Sequence, residues 1–395
     1  MELGFGPEFD SFRAEVRGFL KAHWPPADGD VKSSANENAF VHAAIGEGYL
    51  HRNVPRRFGG SEQEPDIVRA EIIREEFRRA RAPSGRIPVT GKLVVPTLLD
   101  CGTEEQCAQL IPKTLTGEIR WAQGFSEPNA GSDLASLRTR AELVGDEWVI
   151  NGQKIWSTGA HLATHIFLLV RTEPDAPRHE GISYLLVDLR QPGVTIRPLT
   201  QMTRQKEFCE VFFDDARTPA GMLVGERGKG WYVTRSTLKH ERSGIGGLTW
   251  PLSMFRDLLQ LARSIERDGR PAIEDPAIRI ELAAIDAELQ SLTYSTYRAT
   301  SHDVHAREVG WFQTMSKLYS TNLAQRISKL GRDIIGDQFL DMSGPNLKMI
   351  ERFMISLSMS IAGGTSNIQR NLIAERSLGL PRDQHFESAS KATPR

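Results

Sequence analysis

Arg138 to Gly159 reads RTRAELVGDEWVINGQKIWSTG, and the period of this stretch decides the fold of the middle of the chain. Apolar, β-branched and aromatic residues come in short runs. Gly145-Asp146 and Asn151-Gly152 are dipeptides that favour tight turns between strands. Two more runs follow, HIFLLVRT from His165 and ISYLLVDL from Ile182. The expectation is a small β domain from Trp121 to about Glu226.

Outward from this segment the period becomes helical. Phe9, Phe12, Val16, Phe19 and Leu20 recur at helical spacing, and Pro25-Pro26 ends the pattern. A second amphipathic stretch runs from Pro65 to about Arg81. A third spans Thr103 to Leu115, where Thr103 and Gln106 have the spacing of a capping box. Beyond Gly230 helical spacing returns and lasts to about Leu378. Ile278, Leu282, Ile285, Leu289 and Leu292 form one stripe, and Phe312, Met315, Tyr319, Leu323 and Ile327 form another, as in two long helices of a bundle. Arg267 to Pro276, with two prolines and a glycine, reads as the loop between bundle helices. The fold class is therefore mostly α with a central β domain. The expected boundaries are 1–118 for an N-terminal helical domain, 119–228 for a β-barrel-like domain, 229–382 for a four-helix bundle and 383–395 for a frayed tail.

Composition removes several classes of function. The chain has 395 residues, 49 Lys+Arg against 50 Asp+Glu and a formal charge of -1, so it lacks the basic excess that drives nucleic-acid binding. Its longest apolar runs fall far short of the roughly 20 residues needed to cross a bilayer. The first ten residues carry acidic groups and no basic ones, which does not suit a secretory or mitochondrial leader, and the last residues are not a peroxisomal signal. Cys101, Cys107 and Cys209 are too few for a disulfide framework and lack zinc-site spacing. A reduced, cytoplasmic protein without a metal is expected.

Four segments carry chemistry: WAQGFSEPNAGSD (121–133), NGQKIWSTG (151–159), VGERGKGW (224–231) and IAGGTSNIQRNLIAERSLGLPR (361–382). In this order and at these separations they resemble the acyl-CoA dehydrogenase family of flavoproteins, whose members show T-E-P-x-A-G-S-D, G-x-K-x-W-I-T and G-T-S-x-I-Q-R. The resemblance covers residues 5 to 382. It implies an N-terminal helical domain, a β domain and a four-helix bundle, with FAD as cofactor and an acyl-CoA thioester as substrate.

The residues are consistent with that chemistry. A flavin ring needs an apolar wall and hydrogen-bond donors along the edge that gains electron density. The resemblance assigns the wall to Trp156 and polar contacts to Gln123, Ser126, Ser132, Thr158, Thr365 and Asn367, with Ser132 and Arg242 also facing substrate. Ser126 keeps the hydroxyl of the family threonine. Dehydrogenation takes a proton from the carbon next to the thioester and hydride from the following one. It therefore needs a base in a dry pocket and donors for the thioester oxygen.

Most family members carry the base immediately before Gly-Thr-Ser. Here that position is Gly363, followed by Gly364-Thr365-Ser366, and glycine cannot take a proton. A minority branch carries a carboxylate on the first bundle helix in a Leu-x-x-Glu-Arg pattern. Leu238-Lys239-His240-Glu241-Arg242 fits it, which makes Glu241 the candidate base and leaves Gly363 a backbone donor to the thioester oxygen. The bland alternative for Glu241 is a solvated carboxylate paired with Arg242 or Lys239, and for His240 a surface histidine.

Two segments depart from the family. Where homotetrameric members show Arg-x-x-Phe-Gly and Gln-x-x-Gly-Gly-x-Gly, which complete a neighbour's FAD site, this chain reads IERDGRPAIEDPA (265–277) and LGRDIIGDQFL (330–340). Arg267 or Arg270 could stand in for the missing arginine, but Glu274 and Asp275 would oppose a phosphate. The resemblance then implies a homologous acyl-CoA dehydrogenase subunit as partner in an α2β2 tetramer acting on a bulky acyl-CoA, with electron-transferring flavoprotein as acceptor. Alternatives are an ordinary homotetramer, a non-catalytic acyl-CoA-binding paralogue, or a flavin monooxygenase relative.

Overall fold

The computed structural model describes residues 7–26, 29–85, 90–244, 247–300 and 306–381; the expected tail at 383–395 lies outside them. The chain divides into two compact units, Met1–Glu241 and Arg242–Arg395.

The first unit opens with five helices: α1 (Asp10–His23), α2 (Ser34–Gly46), α3 (Ile67–Ala80), α4 (Gly91–Cys101) and α5 (Glu104–Leu115). The buried face of α1 is Phe12, Val16, Phe19 and Leu20, as its spacing predicts. These residues join Phe40 of α2 and Ile72, Ile73 and Phe77 of α3 in one aromatic-rich core. Thr103 and Gln106 cap α5 reciprocally, each side chain accepting from the other's backbone N–H at 3.1 Å. Neither α2 nor α4 shows the one-sided pattern that marks a helix in sequence. The buried Leu93, Val94, Val95 and Leu98 leave α4 apolar on most of its circumference.

Eight strands follow: β1 (Trp121–Gly124), β2 (Arg140–Val144), β3 (Glu147–Thr158), β4 (His165–Arg171), β5 (Ile182–Asp188), β6 (Val194–Pro198), β7 (Phe208–Pro219) and β8 (Leu223–Val224). They form one sheet in the order β6-β7-β3-β2-β4-β5-β8, with β1 parallel to β4. The Gly145-Asp146 turn is present, closing β2 onto β3 with Val144 opposite Glu147. Asn151-Gly152 is not a turn. It lies inside the twelve-residue β3, where the register against β7 slips between Ile150 and Gly152. A Cβ at Gly152 would meet Thr139 Cα at 2.7 Å, and its φ is +146°, so the glycine makes a bulge where two backbones crowd. The Asn151 amide instead bonds the Asp215 carboxylate across the sheet at 2.9 Å.

A buried ion pair fixes the loop after β1 against β3. Lys154 is 0% exposed, and its Nζ donates to Glu127 Oε1 at 2.8 Å and to Phe125 O at 3.1 Å. The same carboxylate accepts from the Arg138 and Thr139 N–H groups at 2.7 and 2.8 Å. Every oxygen that could be stranded by burial is therefore occupied. Helix α6 (Gly230–Gly244) begins in this unit, with Thr234 and Thr237 fully buried. Thr237 meets Thr97 of α4, their hydroxyl oxygens 3.0 Å apart.

The second unit contains α7 (Thr249–Ser264), the two-residue strands β9 (Glu266–Arg267) and β10 (Arg270–Pro271), α8 (Pro276–Thr300), α9 (Ala306–Ile335), α10 (Leu347–Met359) and α11 (Ser366–Leu372). Ile278, Leu282, Ile285 and Leu289 of α8 pack with Leu323 and Ile327 of α9 and with Met254 and Leu258 of α7. The expected loop at 267–276 is a tight hairpin, turned at Asp268 and Gly269 with φ of +51° and +77°.

Replacing Lys154 with Met keeps the packing but strands the Glu127 carboxylate. K154M is expected to lose about 3–5 kcal/mol of stability, and the doubly neutral E127Q/K154M to recover part of that loss. Urea unfolding of the three proteins measures the effect, and wild-type stability in K154M would overturn the assignment.

Candidate active site

With Glu127 held by Lys154, the residue before it is fixed as well. The Ile155 N–H donates to Ser126 O at 3.0 Å, which ties the loop to β3 one residue before Trp156. At that residue the strand breaks pattern. Trp156 has φ +62°, a left-handed conformation that a bulky residue rarely adopts, and the register against β7 shifts between Lys154 and Ser157. The indole is consequently turned outward, 58% exposed, and braced edge-on by the Phe208 ring at 5.9 Å. An exposed tryptophan on a strained backbone, two residues from a buried ion pair, offers an apolar face to a flat ring.

Ser126 and Thr158 are half-buried beside it, and Gln123 is half-buried on β1 opposite Phe167. Ser132 is exposed on the loop after the Pro128-Asn129 turn, next to Asp133, which pairs with Arg178. An apolar wall with hydroxyl and amide donors close by fits a flavin ring. Between Trp156 and Thr158, Ser157 is buried with no partner for its hydroxyl among the described residues.

On α6, Ser236 donates to Asp100 Oδ2 at 2.6 Å and His240 Nε2 lies 3.1 Å from the same oxygen. Burial raises the Asp100 carboxyl pKa, but the Ser236 and His240 hydrogen bonds outweigh it and hold the group below its ordinary value. His240 is thus half-buried and anchored to α4 rather than a free surface histidine. Glu241 and Arg242 follow on α6; their side chains lie outside the described residues.

In the second unit, Gly363 and Gly364 have φ of +64° and +94°. Gln369 Nε2 donates to Gly363 O at 3.1 Å, and Lys317 Nζ donates to Gly364 O at 2.8 Å. Thr365 caps α11, its Oγ1 accepting from Ile368 N–H at 3.3 Å. That leaves its own hydroxyl proton free to donate elsewhere. Asn367 is exposed, and its Oδ1 accepts from Arg370. Lys317 was not anticipated, although a lysine amid the Phe312 to Ile327 stripe is the one sequence signal that marks it.

Arg267 and Arg270 are exposed on the β9–β10 hairpin. Asp275 accepts from Ala277 N–H at 2.8 Å. It thereby caps the start of α8. Among the described residues no helix is long and apolar enough to cross a membrane.

Three domain models of the acyl-CoA dehydrogenase family match this chain: the N-terminal domain over residues 6–118, the middle domain over 122–216 and the C-terminal domain over 228–378. Acyl-CoA dehydrogenase IpdE1 of Mycobacterium tuberculosis is 42% identical over 95% of this chain and 99% of its own length. Among solved structures, the ChsE4-ChsE5 complex from Mycobacterium tuberculosis superposes with a TM-score of 0.77 at 27% identity, covering 97% of this chain and 100% of that one. The Tcur3481-Tcur3483 steroid acyl-CoA dehydrogenase does so with a TM-score of 0.77 at 29% identity, over 97% of this chain and 100% of that one. The exposed indole, the hydroxyls beside it and these matches agree, and the chain belongs to the acyl-CoA dehydrogenase family of flavin-dependent oxidoreductases.

Proposed function

We propose that this chain is the catalytic subunit of a heterotetrameric, FAD-dependent acyl-CoA dehydrogenase that acts on a bulky acyl group, with Glu241 as the base. The observation that carries this reading is a paired exchange. Glycine stands at 363, where most relatives have a carboxylate, while α6 carries Leu238-Lys239-His240-Glu241-Arg242. A bound flavin supplies the hydride acceptor for the reaction. The protein's own task is to take the α-proton and to hold the thioester oxygen as charge gathers on it. Glu241 takes the proton, and the Gly363 N–H, present whatever the side chain, faces the oxygen. Trp156 walls the flavin, Gln123, Ser126, Ser132, Thr158, Thr365 and Asn367 give it polar contacts, and Ser132 and Arg242 contact the substrate.

The heteromeric part is supported by what 265–277 and 330–340 lack. A half-buried pyrophosphate without a charge-assisted donor carries a desolvation cost of several kcal/mol. A homotetramer would repeat that defect at every site, whereas an α2β2 tetramer avoids it where a partner supplies the donors. The two structural relatives described above are named as two-chain systems, one a complex and one a steroid enzyme. Gly363 and Ala362 leave side-chain volume empty beside the α-carbon, which suits a branched or ring-bearing acyl chain over a slim one. The domain boundaries stay at 118/119, 228/229 and 382/383, the compartment is the cytoplasm, and electron-transferring flavoprotein is the acceptor.

Two measurements test this reading. E241Q keeps size while removing the proton acceptor, so turnover is expected to fall by about 10²–10⁴-fold with flavin still bound; activity within threefold of wild type would reject Glu241. Flavin absorbance per protomer, with mass from light scattering, is expected to give two FAD per α2β2 tetramer when the chain is purified with its homologue, and low occupancy alone. Full occupancy in an active tetramer of this chain alone would establish the homotetramer instead.

A further inference from the structure

Lys317 sits in the middle of α9, 1% exposed, and among the described residues no carboxylate is paired with it. Among the described residues its one side-chain partner is a neutral acceptor, Gly364 O at 2.8 Å. Burial lowers its pKa with nothing charged opposing the shift. An ammonium kept in such a place is costly, and a methionine of similar length would pack without that cost. The cation is therefore explained by what it does to the carbonyl it touches.

A second buried side chain works on the same loop. Gln369 is almost fully enclosed, and its Nε2 reaches Gly363 O at 3.1 Å and Gly364 O at 3.5 Å. Among the described residues its buried Oε1 has no partner, so the amide gives up an acceptor to keep its donors on the loop. A Cβ at Gly364 would lie 2.6 Å from that Nε2, so glycine is required for this close approach. Two successive carbonyls are drawn to one interior side. In a trans peptide the N–H points opposite to its carbonyl, so the N–H groups of Gly364 and Thr365 are turned away from the clamp. Among the described residues neither the Gly363 nor the Gly364 N–H donates to a backbone carbonyl. Left-handed backbone with unspent N–H groups is the arrangement that makes a concave anion site.

We propose that Lys317 and Gln369 are positioning residues: they clamp the carbonyls of Gly363 and Gly364, which fixes the left-handed turn that carries the Gly363 N–H and holds that turn in place for the thioester oxygen. The Lys317 charge also polarises the Gly364–Thr365 peptide it grips, which strengthens the Thr365 N–H as a second donor on the same turn. The substrate side of this inference rests on the reading of Gly363 given above, while the clamp itself is read from the loop.

The test compares K317M, K317Q and Q369M in the flavin-bound assembly. K317M is expected to lower kcat per bound flavin by about 10–10²-fold with KM within threefold, because the lost interaction acts on the transition state. K317Q, which keeps a neutral donor, should recover part of that loss, and Q369M should show a smaller fall of the same kind. Deuterium uptake by peptides spanning residues 360–370 should rise severalfold in K317M, with or without substrate. Unchanged kcat per flavin and unchanged uptake in K317M would overturn the proposal, as would activity lost only in proportion to flavin. If K317M does not fold, Q369M decides by the same two readings. E241Q run alongside separates the failures: an inactive E241Q with a normal K317M removes the clamp and leaves the base, and the reverse removes the base and leaves the clamp.

Discussion

The contact between Lys154 and Glu127 is the constraint on which the first unit's site depends. Burial pushes the Lys154 ammonium down to about 8, against the pull of the Glu127 carboxylate. Burial also raises the Glu127 carboxyl, yet the Lys154 charge and the hydrogen bonds from Lys154 and Thr139 hold it below its ordinary value. The pair persists because every atom is satisfied, including two backbone N–H groups that close the loop on itself. A buried pair of this kind adds little net stability compared with apolar packing, but removing one partner is punished severely. It therefore acts as a registration pin. It lies beside the Ile155–Ser126 hydrogen bond that joins the loop to β3, one residue before the left-handed Trp156.

The two buried lysines solve one physical problem in opposite ways. Lys154 has a carboxylate at 2.8 Å and is neutralised where it sits. Lys317, among the described residues, has a single neutral partner, the Gly364 carbonyl at the same distance, and burial lowers its pKa. A neutralised pair contributes geometry and little field. An uncompensated cation contributes both, because its potential is only weakly screened in the interior. The first unit thus holds a paired lysine, and the second a lysine that donates to a loop carbonyl.

Much of this architecture was legible in the sequence, because one-sided burial leaves a period. The stripes of α1 and α8 and the Thr103 capping box stand where their spacing puts them. Helices α2 and α4 left no such mark, since α4 is buried on most sides and the apolar residues of α2 do not gather on one face. Asn151-Gly152 was misread as a turn because the dipeptide that makes a hairpin also makes a bulge; Thr139, close in space but not in sequence, decides between them. Trp156 and Ser126 were singled out through motif order. The strain at Trp156, the anchoring of His240 by Asp100 and the clamp on Gly364 depend on pairs of residues distant in sequence, and no local pattern encodes them.

The glycine at 363 is where the chemistry of this chain departs most from the common pattern, and the loop's construction explains why the departure is tolerable. A loop that stabilises an oxyanion with backbone N–H groups does not need any particular side chain at the donor position. Its geometry comes from Gln369, Lys317 and the Thr365 cap, all outside residue 363. The proton acceptor, by contrast, is a side-chain function and can be supplied from any element that reaches the α-carbon. Loss of the carboxylate at 363 leaves the clamped backbone in place, and α6 is secured to α4 through Thr97, Asp100, Ser236 and His240 just ahead of Glu241. On the proposed reading, acid–base work falls to a side chain and oxyanion binding to backbone, so the two need not share a residue.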